Sequence, residues 1–454
     1  MNTIKALISL TIVLLFLYVF EINSQNPSSI PLSDLDFLYK TLVQKHPKLS
    51  AINHRKKFDS AYKDTRKKFD EVSRTKGLME MMKLVATLND GHTSIARIWD
   101  DKTNFRRLPL RFYWFSDGLF ISRIEKKNAK YVGMKVTNIG GVPIKKVIEK
   151  AEPFIHGENS MKLKDVLPNR LTIFEFLDGL KLTNGSDSVS IALTDSDNNK
   201  HILKLHPPKR GEKIDWITAQ NSDKPKPHYL SNQDSNYWSK YLTRDRVYYF
   251  QFNAVAETEG EPFKLFIDKM FREIDSLPVE KFVIDIRNNN GGDNTILKPL
   301  IHKLIQNKRL NQRGRLFTII GRLTFSAAVN LVTELEKHTN SIFVGEPTAA
   351  GPNHYGETRL ARLPDSGVAL LYSSQFWQGA MPWDKRKWIE PSMKATISSD
   401  DYKNNRDPIL ERIVNFKYRR AERFGKNIFK GKLFRGSFAP DGKTFYFFKK
   451  VTKG

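Results

Sequence analysis

Residues 281 to 306 read KFVIDIRNNNGGDNTILKPLIHKLIQ. "KFVIDIR" is an apolar run between charged ends, with Asp285 its one interior charge, as suits a strand covered on both faces. "NNNGGDN" breaks it with turn residues, and "TILKPLIHKLIQ" then places apolar residues at helical spacing. The alternation continues on both sides. Upstream, "DRVYYFQFNAV" (245–255) predicts a strand and "EPFKLFIDKMFREI" (261–274) a helix. Downstream come a strand "RLFTIIG" (315–321), a helix beginning at Ser326, and a strand "SIFVGEP" (341–347). Strands and helices in this order predict an α/β fold with a βαβ core and a mostly parallel sheet. In such sheets ligands bind beyond the carboxyl ends of the strands, where "IRNNNGG" and "IIGRLTFS" both fall.

The rest of the chain divides around that core, taken as 241–400. Lys5, the apolar run "ALISLTIVLLFLYVF" and the small exit residue Ser24 read as a secretory signal peptide over 1–24. The run is short for a membrane span, so an uncleaved anchor is the alternative, and the bulk of the chain is expected outside the cytoplasm. Residues 27–100 form a helical region: "SDLDFLYKTLVQKHP" is amphipathic and stopped by Pro47, and the Met and Phe stripes after it read as core. From 105 to 165 short apolar runs punctuated by Gly and Asp predict a β domain. Helix, hairpin and linker fill 166–240. The basic, aromatic extension 401–454 ends in a predicted hairpin, "APDGKTFYFF".

With 454 residues, 40% of them hydrophobic and 27% charged, the chain is globular. It has no cysteine, which excludes disulfides, thiolate metal sites and cysteine catalysis. The net charge of +26 favours acidic partners, an anionic cell-envelope surface among them. No zinc-finger spacing or nucleic-acid module accompanies it, so nucleic acid is not expected. G-x-S-x-G, H-E-x-x-H and a dinucleotide fingerprint are all missing. "GSFAPDGKT" at 436 carries five residues between its glycines, where a phosphate loop needs four. No metal or cofactor is expected.

Three places carry chemistry. Ser326 opens a helix, where a hydroxyl either caps orphan amides or stands exposed as a nucleophile beside an anion site. Gly291 and Gly292 either make a plain tight turn or free backbone amides to face an anion. His92 sits in the turn "LNDGHTSI" (88–95). A lone histidine is usually structural, but a serine nucleophile needs a base within hydrogen-bond reach, and imidazole is the usual one.

Taken in order, "LNDGHTSI", "VIDIRNNNGGDN", "TFSAAVNLVTEL", "VGEPTAAGP", "RLPDSGVAL" and "WIEP" resemble the S41 serine peptidases, the family of tail-specific proteases and of the tricorn catalytic domain. The likeness spans residues 33–396 and is densest from 245 to 392. It implies a crotonase-like core with a reduced PDZ-like domain at 105–165, and hydrolysis of a protein or peptide substrate. Ser326 matches the family's nucleophile. Its oxyanion hole falls on the amides of Ala327 and of Gly291 or Gly292. The processing proteases' lysine falls on Gly351, and the acid one turn after the nucleophile on Val329, so a Ser–Lys dyad is missing from this loop. The tricorn-like branch uses a histidine that resembles His92. Its orienting acid falls on Asp384, with Glu357 as rival. The residue beside that histidine falls on Gly91, so its role is either lost or taken over, with Thr93 as the candidate. The missing lysine also admits a second class, an inactive relative serving as a peptide-binding or envelope scaffold.

Overall fold

The computed structural model describes residues 29–69, 72–95, 105–185 and 187–417, and the backbone of two strands at 433–438 and 445–449. The expected signal peptide, 1–24, lies outside them. Among the described residues, no helix is long and apolar enough to cross a membrane.

Helices α1 (Leu32–Lys45), α2 (Ile52–Arg66) and α3 (Arg74–Ala86) open the chain. Leu35, Leu38 and Leu42 on α1 meet Leu78, Met81, Met82 and Val85 on α3 in one buried cluster, so the Met stripe is core. After α3 comes a two-residue strand β1 (Ser94–Ile95). A β domain follows: β2 (Leu110–Phe115), β3 (Gly118–Glu125), β4 (Lys135–Ile139), β5 (Val142–Pro143), helices α4 (Ile144–Ala151), α5 (Ser160–Arg170) and α6 (Phe174–Gly179), then β6 (Val189–Thr194), β7 (Lys200–Leu205) and β8 (Trp216–Thr218). Its strands pair antiparallel in the order β2-β3-β4-β6-β7, with β8 added to β3.

The core strands are β9 (Tyr237–Leu242), β10 (Val247–Phe252), β11 (Lys281–Asp285), β12 (Leu316–Ile320) and β13 (Ile342–Gly345), interleaved with helices α7 (Phe263–Ser276), α8 (Lys298–Gln306) and α9 (Ala327–His338). Then come β14 (Asn353–Arg362), β15 (Ala369–Gln378), β16 (Met393–Lys394), α10 (Ser399–Lys403) and α11 (Pro408–Val414). The sheet runs β16-β13-β12-β11-β10-β9, parallel throughout except for the β10–β9 pair. Every residue of β10 and of β12 is buried, because helices cover both faces. Alternation divides them: Tyr248, Phe250, Phe282 and Ile284 meet α7, α8 and α9, while Val247, Tyr249, Val283 and Phe317 meet Ile409 and Ile413 of α11. The α8 pattern begins three residues later than the sequence suggests, because Asn294–Ile296 form a separate 3₁₀ turn capped by Asp293. The terminal strands β17 (Leu433–Phe438) and β18 (Phe445–Lys449) pair antiparallel, as the predicted hairpin requires.

Two features bring distant residues to the carboxyl edge of this sheet. β14 and β15 form a long hairpin, and β1 adds to β15 with Ser94 opposite Leu371. That pairing carries the His92 turn from the N-terminal helices to the core.

Candidate active site

The loops after β11, β12 and β13 are stitched together by two buried polar side chains. Asn289 donates from Nδ2 to the Phe252 carbonyl at 2.9 Å and accepts at Oδ1 from the Gly291 amide at 2.9 Å. Its own carbonyl accepts from the Phe325 amide at 3.1 Å. Thr324 donates from Oγ1 to the Ile286 carbonyl and accepts there from the Gly321 amide, both at 2.9 Å. The Thr324 carbonyl accepts from the Ala349 amide at 3.0 Å. Both side chains are fully buried, where unpaired polar atoms would be costly. Nothing but burial distinguishes them from ordinary turn residues, and the sequence reading missed both.

Ser326 stands on this frame at φ 53°, ψ −127°, as the residue before α9. That conformation is sparsely populated for a non-glycine residue and costs about 1–3 kcal/mol. Its hydroxyl makes no capping bond; instead its carbonyl accepts from the Val329 and Asn330 amides at 2.8 and 3.1 Å. A sharp, strained turn between strand and helix that leaves Oγ free is the arrangement that exposes a nucleophile. The open alternatives for Ser326 thus resolve in favour of a displayed hydroxyl.

Gly291 lies directly against it. A Cβ there would stand 2.6 Å from Ser326 Cβ and 2.9 Å from the Ala327 nitrogen, and φ is +99°. Only glycine permits this approach. Gly291→Ala is therefore expected to lower stability by about 1–3 kcal/mol, the usual cost of a strained backbone, as measured by denaturant unfolding. The expectation that Gly291 donates to an anion needs correction, since its amide is taken by Asn289. Gly292 and Ala327 keep amides without a hydrogen-bond acceptor among the described residues, and Ala327 opens the positive end of α9.

His92 is buried and lines the same cleft, about 440 Å³, with Gly91, Lys162, Asn290, Phe325 and Ser326. The Phe325 ring stacks on its imidazole at 4.1 Å and His354 lies parallel at 5.9 Å. Neither ring nitrogen has a partner of hydrogen-bonding geometry, so no bond yet joins it to Ser326. Burial pushes the imidazole down to about 3, with His354 and Lys162 acting the same way and the Asp90 carboxylate and the Tyr355 backbone opposing. At neutral pH it is an uncharged acceptor.

The carboxylate that approaches His92 is neither of those expected. The Asp384 carboxylate accepts from Arg386 Nε and a terminal guanidinium nitrogen at 3.0 and 2.8 Å, and Arg386 goes on to Glu336. Glu357 is exposed and paired with Arg359 at 3.3 Å. No bond from either reaches His92. Asp90, two residues ahead of the histidine, takes the position instead. It is fully buried, accepts from the His92 backbone amide at 3.0 Å, and approaches Nδ1 to 3.9 Å. His46 Nε2 at 2.9 Å and the hydroxyls of Ser373 and Thr93 at 2.6 and 2.5 Å complete its shell. Burial opposes its ionisation, but the His46 bond foremost, then His92 and Ser373, hold the carboxyl well below the usual carboxylate range. Thr93 thus serves Asp90, not the histidine. Gly91 has no room for a side chain, since a Cβ would stand 2.8 Å from the Phe325 ring.

Gly351 is equally constrained. A Cβ there would meet the Arg386 carbonyl at 2.1 Å, so no lysine fits this loop as folded. Val329 is buried in the apolar face of α9 and offers nothing to the cleft. Two cations of the cleft wall that sequence did not flag, Lys162 and Arg170, stand on α5. Lys162 is paired with Asp165 at 2.9 Å and lies 4.0 Å from the Phe325 ring.

Neither a protein-family model nor a curated protein sequence matches the chain. Solved structures do. Mature CPAF complexed with lactacystin aligns with 13% identity over 84% of this chain and 96% of its own, at a TM-score of 0.60. A serine-to-alanine mutant of CPAF aligns with 12% identity over 85% and 98%, at 0.59. A putative S41 protease from Bacteroides fragilis NCTC 9343 gives 13% identity over 83% and 96%, but its TM-score of 0.38 adds no weight. The chain shares the fold of mature CPAF. At these identities the likeness concerns the backbone alone. What places chemistry in this fold is the geometry around Ser326.

Proposed function

We propose that the protein is an exported serine peptidase that cleaves protein or peptide substrates. The displayed Ser326 hydroxyl, unbonded and strained at the mouth of the His92 cleft, is the observation that carries this reading. Ser326 Oγ attacks the scissile carbonyl and His92 takes its proton, then returns it to the leaving amine. Asp90 orients the imidazole and stabilises its charged form. The Gly292 and Ala327 amides receive the oxyanion; one such donor is worth about 10² to 10³ in rate. Closing the gap between Ser326 and His92 falls to substrate, since catalytic hydrogen bonds are often loose in the unliganded state. A fluorophosphonate probe is expected to label the wild type and not Ser326→Ala.

The unpaired His92 nitrogens favour a second reading, an inactive peptide-binding or envelope scaffold. Absence of labelling in both proteins would support it, whereas equal labelling of both would remove Ser326 from the chemistry.

Because His92 must be neutral to act, its lowered pKa extends activity toward acid. The group is depressed from 6.5 to about 3, so kcat/KM should show no bend near pH 6.5 and should fall only as pH approaches 3. An ordinary acid limb near 6.5 would mean that the base is exposed, hence another group.

A further inference from the structure

A second cleft, about 540 Å³, is lined by Arg111, Arg123, Trp216, Lys226, Tyr229 and Asn288 among others, without a carboxylate in its wall. It approaches the reaction cleft along the chain, since Asn288 stands two residues before Asn290 and Leu323, also in its wall, three before Ser326. Its cations are arranged at a cost. Arg111 on β2 and Arg123 on β3 are direct cross-strand partners, and like charges so placed destabilise a sheet. The register shifts at Arg111/Phe112, a bulge of the kind that re-aims a side chain. Both guanidinium groups then meet one indole, each 4.9 Å from the ring of Trp216. Among the described residues, Arg111, Arg123 and Lys226 form no ion pair. The Tyr229 hydroxyl, buried in the same wall, has no hydrogen-bond partner. Burial, with Arg107 and Arg123 adding repulsion, pulls the Arg111 guanidinium down to about 10.

Opposed arginines gathered over one indole, with Arg111 bonded only to the Leu110 carbonyl at 2.8 Å, lie beside an unused hydroxyl donor and lack one thing, an anion. A guanidinium presents paired N–H donors that match a carboxylate fork, and stacking fixes that fork in advance. We propose that this cleft binds a carboxylate of a peptide, Arg111 and Arg123 gripping it and the Tyr229 hydroxyl donating to it, so that it selects acidic peptide segments. The peptide identity of the ligand rests on the peptidase reading; the anion site does not.

The test measures binding, not turnover, on full-length Ser326→Ala protein at fixed ionic strength. The probes are a fluorescein-labelled, C-terminally amidated Glu-rich peptide and its Gln analogue with a free C-terminus. The Glu peptide is expected to bind at least about tenfold more tightly, the margin of charge-assisted pairing. Arg111→Gln/Arg123→Gln should erase that margin, and its melting temperature should hold or rise as the opposed charges go. Lys56→Gln/Lys57→Gln removes the same charge from the exposed face of α2 and should leave the margin in place. Arginine-dependent binding of the Gln analogue instead would assign the cleft to a terminal carboxylate, the same chemistry from the other source. A margin that survives Arg111→Gln/Arg123→Gln, or falls equally with the lysine pair, overturns the proposal in favour of the overall field of the +26 chain. The peptidase reading fails separately, by absence of fluorophosphonate labelling in the wild type.

Discussion

Ser326→Ala is expected to lower kcat/KM for peptide hydrolysis by on the order of 10⁶-fold, His92→Ala by a similar factor, and the double variant by no more than either. On the proposed mechanism nucleophile and base act as one unit: without the hydroxyl no acyl-enzyme forms, and without the imidazole the hydroxyl keeps its proton. What remains in each case is rate from the oxyanion site and substrate positioning, which the substitutions leave standing. Asp384→Asn is the internal control. Its carboxylate is held by Arg386 at the protein surface, so the variant should retain activity within a few-fold. The measurement is kcat/KM on an unstructured protein substrate, with melting curves to show that each variant folds. Additive losses in the double variant would mean that the two residues act in different steps, and a silent His92→Ala would move the base to another group.

How far this site was legible in the sequence follows from what each residue type can signal. The parallel strands were plain because burial on both faces leaves short, largely apolar runs such as "VYYFQF", in which Gln251 is the one polar interruption. Ser326, His92 and the glycine pair were legible as residue types in turns at the edges of elements. The bonds that arm them were not. Asn289 and Thr324 carry the same signal as any turn residue, and only the fold puts them at zero exposure between three loops. Asp90 lies inside the quoted "LNDGH", but its link to His46, 44 residues away, appears only when α1 packs against that turn. Asp384 was chosen from its distance to a downstream motif. Competition decided otherwise, since Arg386, two residues on, captures the carboxylate locally. Distance along the chain to a motif cannot weigh such a rival.

The same loop contains the largest stability effect expected outside the site. Arg287 begins "RNNNGG" and is 5% exposed at its side chain, sharing a terminal guanidinium nitrogen between Asp285 and Asp407, each at 2.8 Å. Asp407 also caps α11, accepting from the Ile409 and Leu410 amides at 3.2 Å. The triad therefore pins the loop that carries Gly291 to a helix more than a hundred residues downstream. Replacing Arg287 with Leu would fill similar apolar volume but strand two carboxylates in the interior. Removing one partner of a buried ion pair costs about 3–5 kcal/mol, a large part of the roughly 5–15 kcal/mol that holds a domain together. Guanidinium unfolding of Arg287→Leu should show that loss. Arg287→Leu/Asp407→Asn should recover part of it, because one of the stranded charges is gone while the amide oxygen can still cap α11. If the single variant loses less than about 1 kcal/mol, the charge at this position was not buried in the sense that matters energetically, and water must reach the triad. If the double variant loses more than the single, the Asp407 carboxylate is not stranded without Arg287, and its negative charge at the amino end of α11 is what it chiefly supplies.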